Sequence, residues 1–304
     1  MKHALIDMGS NSIRLTVYEV NQTSFRVLFK DKIMAGLAGY VEHGRLTRDG
    51  IECACQSLQK FQNTLELLEI GNLAVFATAS LRNVANTAQA VKQIHDATGL
   101  TVEVLSGEAE AEYGFLGATC DIQIPDGLFT DIGGASAELA LFQNGRVRKA
   151  ASVPVGSLKL YRDCVKKILP GKESRRRIET AVRTAFRDEL FREIPKKEHM
   201  ICVGGTARAS LRLCRRLFGL PEGERSFTRT QLNSLAEQLC RTDKDTANLI
   251  LRYEPDRIHT LIPGIMVLRY LADRYGVEDI TVSHYGVREG YLLQNIQPSV
   301  ERPS

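Results

Sequence analysis

Two stretches of this chain repeat one another, and that repeat restricts the possible folds more than any other feature. Leu5-Ile6-Asp7-Met8-Gly9-Ser10 aligns with Phe129-Thr130-Asp131-Ile132-Gly133-Gly134. Each is an apolar strand ending in Asp-x-Gly, followed by a turn of small residues and a second strand. An internal duplication sets the architecture before any single element does. It predicts two like domains, 1–125 and 126–304, each offering a hairpin to a shared cleft. A chain of 304 residues suits two domains, and domain interfaces are a preferred place for ligand sites.

The flanking pattern supports the duplication. Ala4–Asp7, Leu15–Val20 and Ser24–Lys30 read as successive antiparallel strands. Thr47 caps a helix whose apolar stripe runs through Ile51, Ala54, Cys55, Leu58, Phe61, Leu65 and Leu68. A strand at 73–77, a helix at 80–97, a strand at 101–105 and a helix at 107–118 follow. From residue 127 three strands begin again, at 128–131, 137–142 and 147–153. Helices follow near 156–168, 173–192, 206–217, 229–240 and 255–275, with strands at 199–203 and 279–283. The predicted class is α/β, with mixed sheets flanked by helices.

Composition narrows the function classes. No window of about 20 apolar residues is present, so no membrane span is expected. The N-terminus lacks the apolar stretch and cleavage site of a signal peptide, which predicts a cytoplasmic enzyme. Seven scattered cysteines without paired spacing argue against a disulfide framework. Residues 1–125 carry 10 Lys and Arg against 14 Asp and Glu, while the remainder carries 30 against 22. Many of those cations lie in 162–216, Arg192 and Arg208–Arg216 among them. Some belong on solvated helix faces, but the excess points to a polyanionic partner. No aromatic-rich platform accompanies it, so nucleic acid is not the expected ligand.

The two turns suit phosphate. Gly9-Ser10-Asn11-Ser12 and Gly133-Gly134-Ala135-Ser136 let backbone N–H groups approach an anion closely. Asp7 and Asp131, ahead of the turns, are placed to hold a hydrated Mg2+ that bridges phosphate oxygens. One Asp-x-Gly turn is also what any tight hairpin wants, so the weight rests on the pair. Thr78-Ala79-Ser80-Leu81-Arg82 follows a strand and opens a helix, a setting that attracts anions and equally an ordinary helix start. Ser106 can cap a helix whose first turn holds Glu108, Glu110 and Glu112. Those glutamates cannot all face one way at ~100° per residue, and spacing does not choose among them as a general base. Glu138, on the strand leaving the second turn, is a candidate for orienting water or metal. Val203-Gly204-Gly205-Thr206-Ala207 offers a third set of amides.

Taken together, these segments resemble the exopolyphosphatase / guanosine pentaphosphate phosphohydrolase family, within the actin, chaperone and sugar-kinase superfamily. The likeness covers essentially the whole chain. It is carried by Ile6–Leu15, Ala77–Asn83, Ser106–Ala111, Asp131–Glu138, Val203–Ala207 and Tyr285–Gly290. It implies two actin-like (ribonuclease H-like) domains, and Mg2+-dependent hydrolysis of a terminal phosphoanhydride in polyphosphate or guanosine pentaphosphate. It assigns the base to Glu110, with Asp7, Asp131 and Glu138 organising metal and water. Arg82 and Arg14 would neutralise phosphate charge, and Gly9–Ser12, Ser80, Gly133–Ser136, Gly205 and Thr206 would bind phosphate. A homodimer is compatible with it. The chain ends at Ser304 and so resembles the short form, without an added helical domain.

Two departures stand out. The family usually has a third Gly and a Thr where this chain has Ala135 and Ala137. Ala135 is expected to strain a left-handed turn by ~1 kcal/mol, and Ala137 to remove a hydroxyl serving phosphate or Glu138. They motivate a competing reading as a non-catalytic sensor of polyphosphate or an alarmone. A kinase is disfavoured, because a kinase has no use for a glutamate aimed at water.

Overall fold

The computed structural model describes residues 1–187 and 194–296. Arg192 and the end of the helix expected over 173–192 lie outside them. The chain divides into two units, Met1–Glu110 with Tyr291–Ser304, and Ala111–Gly290. The boundary read from sequence at 125/126 falls within the second.

The first unit is built on a five-stranded sheet in the order β3-β2-β1-β6-β7. β1 (Lys2–Met8), β2 (Ile13–Val20) and β3 (Phe25–Ile33) form an antiparallel meander. β6 (Leu73–Ala77) and β7 (Val102–Val104) continue it in parallel beyond β1. β4 (Val41–Glu42) and β5 (Arg45–Leu46) make a separate small hairpin. Helix α1 (Arg48–Leu67) starts at Thr47, whose hydroxyl accepts from the Gly50 amide. It buries Ile51, Ala54, Cys55, Leu58, Phe61 and Leu65 of the predicted stripe, while Leu68 sits past the last turn at the C-cap and is exposed.

The helix expected over 80–97 is two helices, α2 (Ala79–Arg82) and α3 (Thr87–Thr98). The reason lies far away in sequence. The Asn86 side chain bonds both the amide and the carbonyl of Leu46, and Ala85 N donates to Gly44 O. Holding the β4–β5 hairpin takes the backbone there out of helix. α4 (Gly107–Ala118) follows as predicted.

The second unit repeats the first and adds a strand. Its sheet runs β10-β9-β8-β11-β13-β12. β8 (Gly127–Ile132), β9 (Ala137–Gln143) and β10 (Arg146–Val153) form the second meander. β11 (His199–Val203) and β13 (Asp279–Val282) extend it in parallel. β12 (Ser226–Thr228), not foreseen, closes the edge antiparallel to β13.

Helices α5 (Ser157–Cys164), α6 (Lys172–Ala185), α7 (Gly204–Phe218) and α8 (Arg229–Leu239) match expected segments, with α5 ending short of 168. α9 (Lys244–Tyr253) was not foreseen. The segment expected as one helix over 255–275 is a 3-10 turn at Pro255–Arg257 followed by α10 (Leu261–Tyr275). α11 (Val287–Asn295) follows β13. Leu128, Leu139, Met200, Leu213, Leu235 and Leu268 lie in the main core of this unit. No helix among the described residues is long and apolar enough to cross a membrane.

Candidate active site

The repeat holds at the level of single hydrogen bonds. In the first unit the last strand pair before the turn is Met8↔Ile13, and Gly9 N donates to Ser12 O at 3.1 Å. In the second it is Ile132↔Ala137, and Gly133 N donates to Ser136 O at 2.9 Å. Both loops are therefore four residues long and closed alike.

Each loop is also held by its carbonyls. Ala38 N and Gly36 N donate to Ser10 O and Asn11 O. Ser157 N donates to Gly133 O, and Leu158 N and Lys159 N both donate to Gly134 O. The first turn of α5 is thus spent on the second loop. Gly156 makes this approach possible: a Cβ there would lie 2.3 Å from Ala135 N and from Gly134 O. With the carbonyls tied, the amides of Ser10, Asn11, Gly134 and Ala135 donate to no group among the described residues. Unpaired amides in a turn form an anion cradle.

The residues ahead of the turns differ in what faces them. Asp7 pairs in register with Arg14, whose Nε donates to Ser12 Oγ at 3.1 Å. Asp131 pairs with Glu138. Glu138 is only 2% exposed, and its Oε1 accepts from Ser136 Oγ and Ser152 Oγ, both at 2.7 Å. A buried carboxylate with two hydroxyl donors is fixed in orientation.

Neither departure has the local effect expected of it. Ala135 is not among the residues with positive φ, so its Cβ brings no left-handed strain. Ala137 is buried in the apolar core, so a hydroxyl there would face Leu and Val side chains. Ser136 and Ser152 orient Glu138 instead.

The structure discriminates among the three glutamates of α4. Ser106 Oγ accepts from Ala109 N at 3.0 Å, capping the helix. Glu108 and Glu112, four apart, are both exposed. Glu110 turns the other way and meets Arg82, Nη1 to Oε2 at 2.6 Å, with the two side chains only 16% and 12% exposed. Arg82 Nη1 also donates to Leu105 O at 3.2 Å. The Ser80 hydroxyl donates to Met8 O and ties α2 to the strand that leads into the first loop.

The third glycine turn is partly covered. Gly204 has φ +83°, which favours glycine, and a Cβ there would strike Asp131 Oδ1. Thr206 is buried against Gly264 of α10. The guanidinium of Arg257 lies over Gly205. Arg257 was missed from sequence, because it sits in a 3-10 turn that belongs to no repeat. A cation at the first turn of α7, next to the glycine against Asp131, is a signal only three dimensions supply.

Among the described residues no group of three or more His, Cys, Asp or Glu is gathered for a metal. A hydrated Mg2+ needs fewer, taking one or two carboxylates with waters and substrate phosphates. Asp7 and Asp131, each beside a loop of unpaired amides, fit that demand.

A model of the Ppx/GppA phosphatase family matches residues 16–298. The chain belongs to the Ppx/GppA phosphatase family. Curated relatives include a guanosine-5'-triphosphate,3'-diphosphate pyrophosphatase of Vibrio cholerae, 26% identical over 305 residues, with 97% of this chain aligned to 59% of that protein. A bifunctional 3-dehydroquinate synthase/phosphatase of Fusobacterium nucleatum is 24% identical, with 97% of this chain aligned to 46% of its length. The chain thus spans about half the length of these curated relatives. Solved Ppx/GppA-type structures share its fold over nearly their full length. An exopolyphosphatase from Cytophaga hutchinsonii has a TM-score of 0.84 at 22% identity, covering 97% of both chains. The Aquifex aeolicus family member has 0.79 at 23%, also covering 97% of both.

Proposed function

We propose that this member of the Ppx/GppA phosphatase family is a phosphoanhydride hydrolase that releases the terminal phosphate of inorganic polyphosphate, guanosine pentaphosphate or both. The observation that carries it is the Arg82–Glu110 pair, a buried-edge carboxylate gripped by a guanidinium. Glu110 polarises the attacking water and takes its proton. Arg82, already fixed by Leu105 O, neutralises charge developing on the transferred phosphoryl group. The amides of Ser10, Asn11, Gly134 and Ala135 receive phosphate oxygens. Glu138, locked by Ser136 and Ser152, keeps one carboxylate orientation beside Asp131 throughout turnover. Arg14, paired with Asp7, supplies a second cation.

Asp7 and Asp131 would hold Mg2+, which when bound supplies Lewis-acid neutralisation of phosphate charge. The names of the relatives, one a guanosine-5'-triphosphate,3'-diphosphate pyrophosphatase and another an exopolyphosphatase, support both substrates. The sensor reading loses its motive, since Ala135 is unstrained and Ala137 faces the core.

The test is phosphate release from long-chain polyphosphate and from guanosine pentaphosphate, with Mg2+ and with a chelator. Release from at least one substrate, abolished by the chelator, is expected. Binding of both substrates without release under any divalent cation would restore the sensor reading.

A further inference from the structure

A closed circuit of contacts surrounds the second loop, and an aromatic pair completes it. On one side α5 carries the loop: Ser157 donates to Gly133 O through its amide and, at 3.0 Å, through its hydroxyl. Tyr161, one turn further on, shares the helix face of Ser157. On the other side, a Cβ at Gly204 would meet Asp131, and one at Gly205 would meet the Arg257 guanidinium. His259 follows Arg257 by two residues. The two routes join where the rings of Tyr161 and His259 meet, centroids 4.7 Å apart and planes tilted by 48°.

These rings differ from others of the same unit. Phe115 with Phe129 and Phe142, and Phe186 with Tyr270, pack in or against the hydrophobic cores. Tyr161 is half-buried, and its hydroxyl donates to Lys167 O at 3.1 Å. His259 is exposed, and its ring nitrogens bond no group among the described residues. One imidazole face is thus backed by a fixed ring while the rest meets solvent. A ring held in place loses little freedom when a flat group stacks on it. Its unpaired nitrogens can also bond polar atoms at the rim of such a group. Polyphosphate has no flat group. Guanosine pentaphosphate has one, the guanine base, joined to its phosphates through ribose.

We propose that His259, backed by Tyr161, is the stacking site for the base of a guanosine polyphosphate whose phosphates enter the second loop. This deepens the functional reading above and rests on it. His259 then determines specificity, favouring the nucleotide and offering nothing to polyphosphate. Tyr161 acts through His259 and is a positioning residue.

The experiment compares wild type, His259→Ala and His259→Phe on guanosine pentaphosphate and on tripolyphosphate. His259 is exposed, so matched thermal melts are expected. KM for guanosine pentaphosphate should rise at least about fivefold in His259→Ala, with kcat within about twofold of wild type. His259→Phe restores a stacking ring and should return that KM to within about twofold. KM for tripolyphosphate should stay within about twofold in both variants. An unmoved guanosine pentaphosphate KM in His259→Ala overturns the proposal, and so does a failure of phenylalanine to restore it. An equal rise on tripolyphosphate also overturns it, because the ring contact would then serve only to hold Arg257. If wild type leaves guanosine pentaphosphate intact, direct binding of that compound to the three proteins decides the base site by the same fivefold criterion. No binding to wild type overturns the proposal. Absence of phosphate release from both compounds fails the hydrolase reading by itself.

Discussion

Glu138 shows how much a single buried carboxylate constrains its surroundings. It faces Asp131 across the hairpin and accepts from Ser136 and Ser152. Glu138→Gln keeps an oxygen for both hydroxyls, so it should melt near wild type yet lose at least ~100-fold in turnover. Glu138→Ala strands two buried hydroxyls and should cost roughly 1–3 kcal/mol by chemical denaturation. Equal stability losses in the two variants would reduce Glu138 to a structural residue. Ala135 makes the opposite case. Its identity in the turn suggested strain, but its φ is ordinary, and residue type alone does not set φ. Ala135→Gly should therefore lower stability by ~0.4–1 kcal/mol, through a freer unfolded chain, with no gain in activity. A stabilised Ala135→Gly variant would mean the turn is strained after all.

Among the elements, the two hairpins were legible because their evidence is local: apolar alternation, a small-residue turn, and a second copy of both. What held them was not. The second loop is seated on the first turn of α5 through Gly133 O and Gly134 O, an approach that Gly156 alone permits. Gly156→Ala should displace residues 133–135, costing ~1–3 kcal/mol and disproportionately more activity. A variant with full turnover would show that the loop needs no such seat. The break between α2 and α3 was illegible for a related reason. Asn86 finds its partner, Leu46, 40 residues away, whereas helical periodicity reads only neighbours. Spacing likewise left Glu108, Glu110 and Glu112 equivalent; the family resemblance pointed to Glu110, and only the fold sets that residue against Arg82. Arg257 needed the fold itself, being placed over Gly205 by a 3-10 turn that the sequence read as helix.

Across the whole molecule, the α/β class and the repeated strand order follow from the duplication that Asp7 and Asp131 mark, whereas the family rests on segments along the whole chain. Both sheets carry an antiparallel meander followed by parallel strands, and in both meanders one of these aspartates is the penultimate residue of the first strand. Duplication accounts for two like loops with unpaired amides but not for the proposed chemistry, which rests on residues outside the repeat, Arg82 and Glu110. The central claim is therefore that Glu110 activates water. The measurement that tests it is Mg2+-dependent phosphate release by Glu110→Gln, on whichever of polyphosphate and guanosine pentaphosphate wild type hydrolyses, with substrate binding followed in parallel. The account predicts turnover lowered by ~10²–10⁴-fold with binding retained. Turnover within a few-fold of wild type would contradict it.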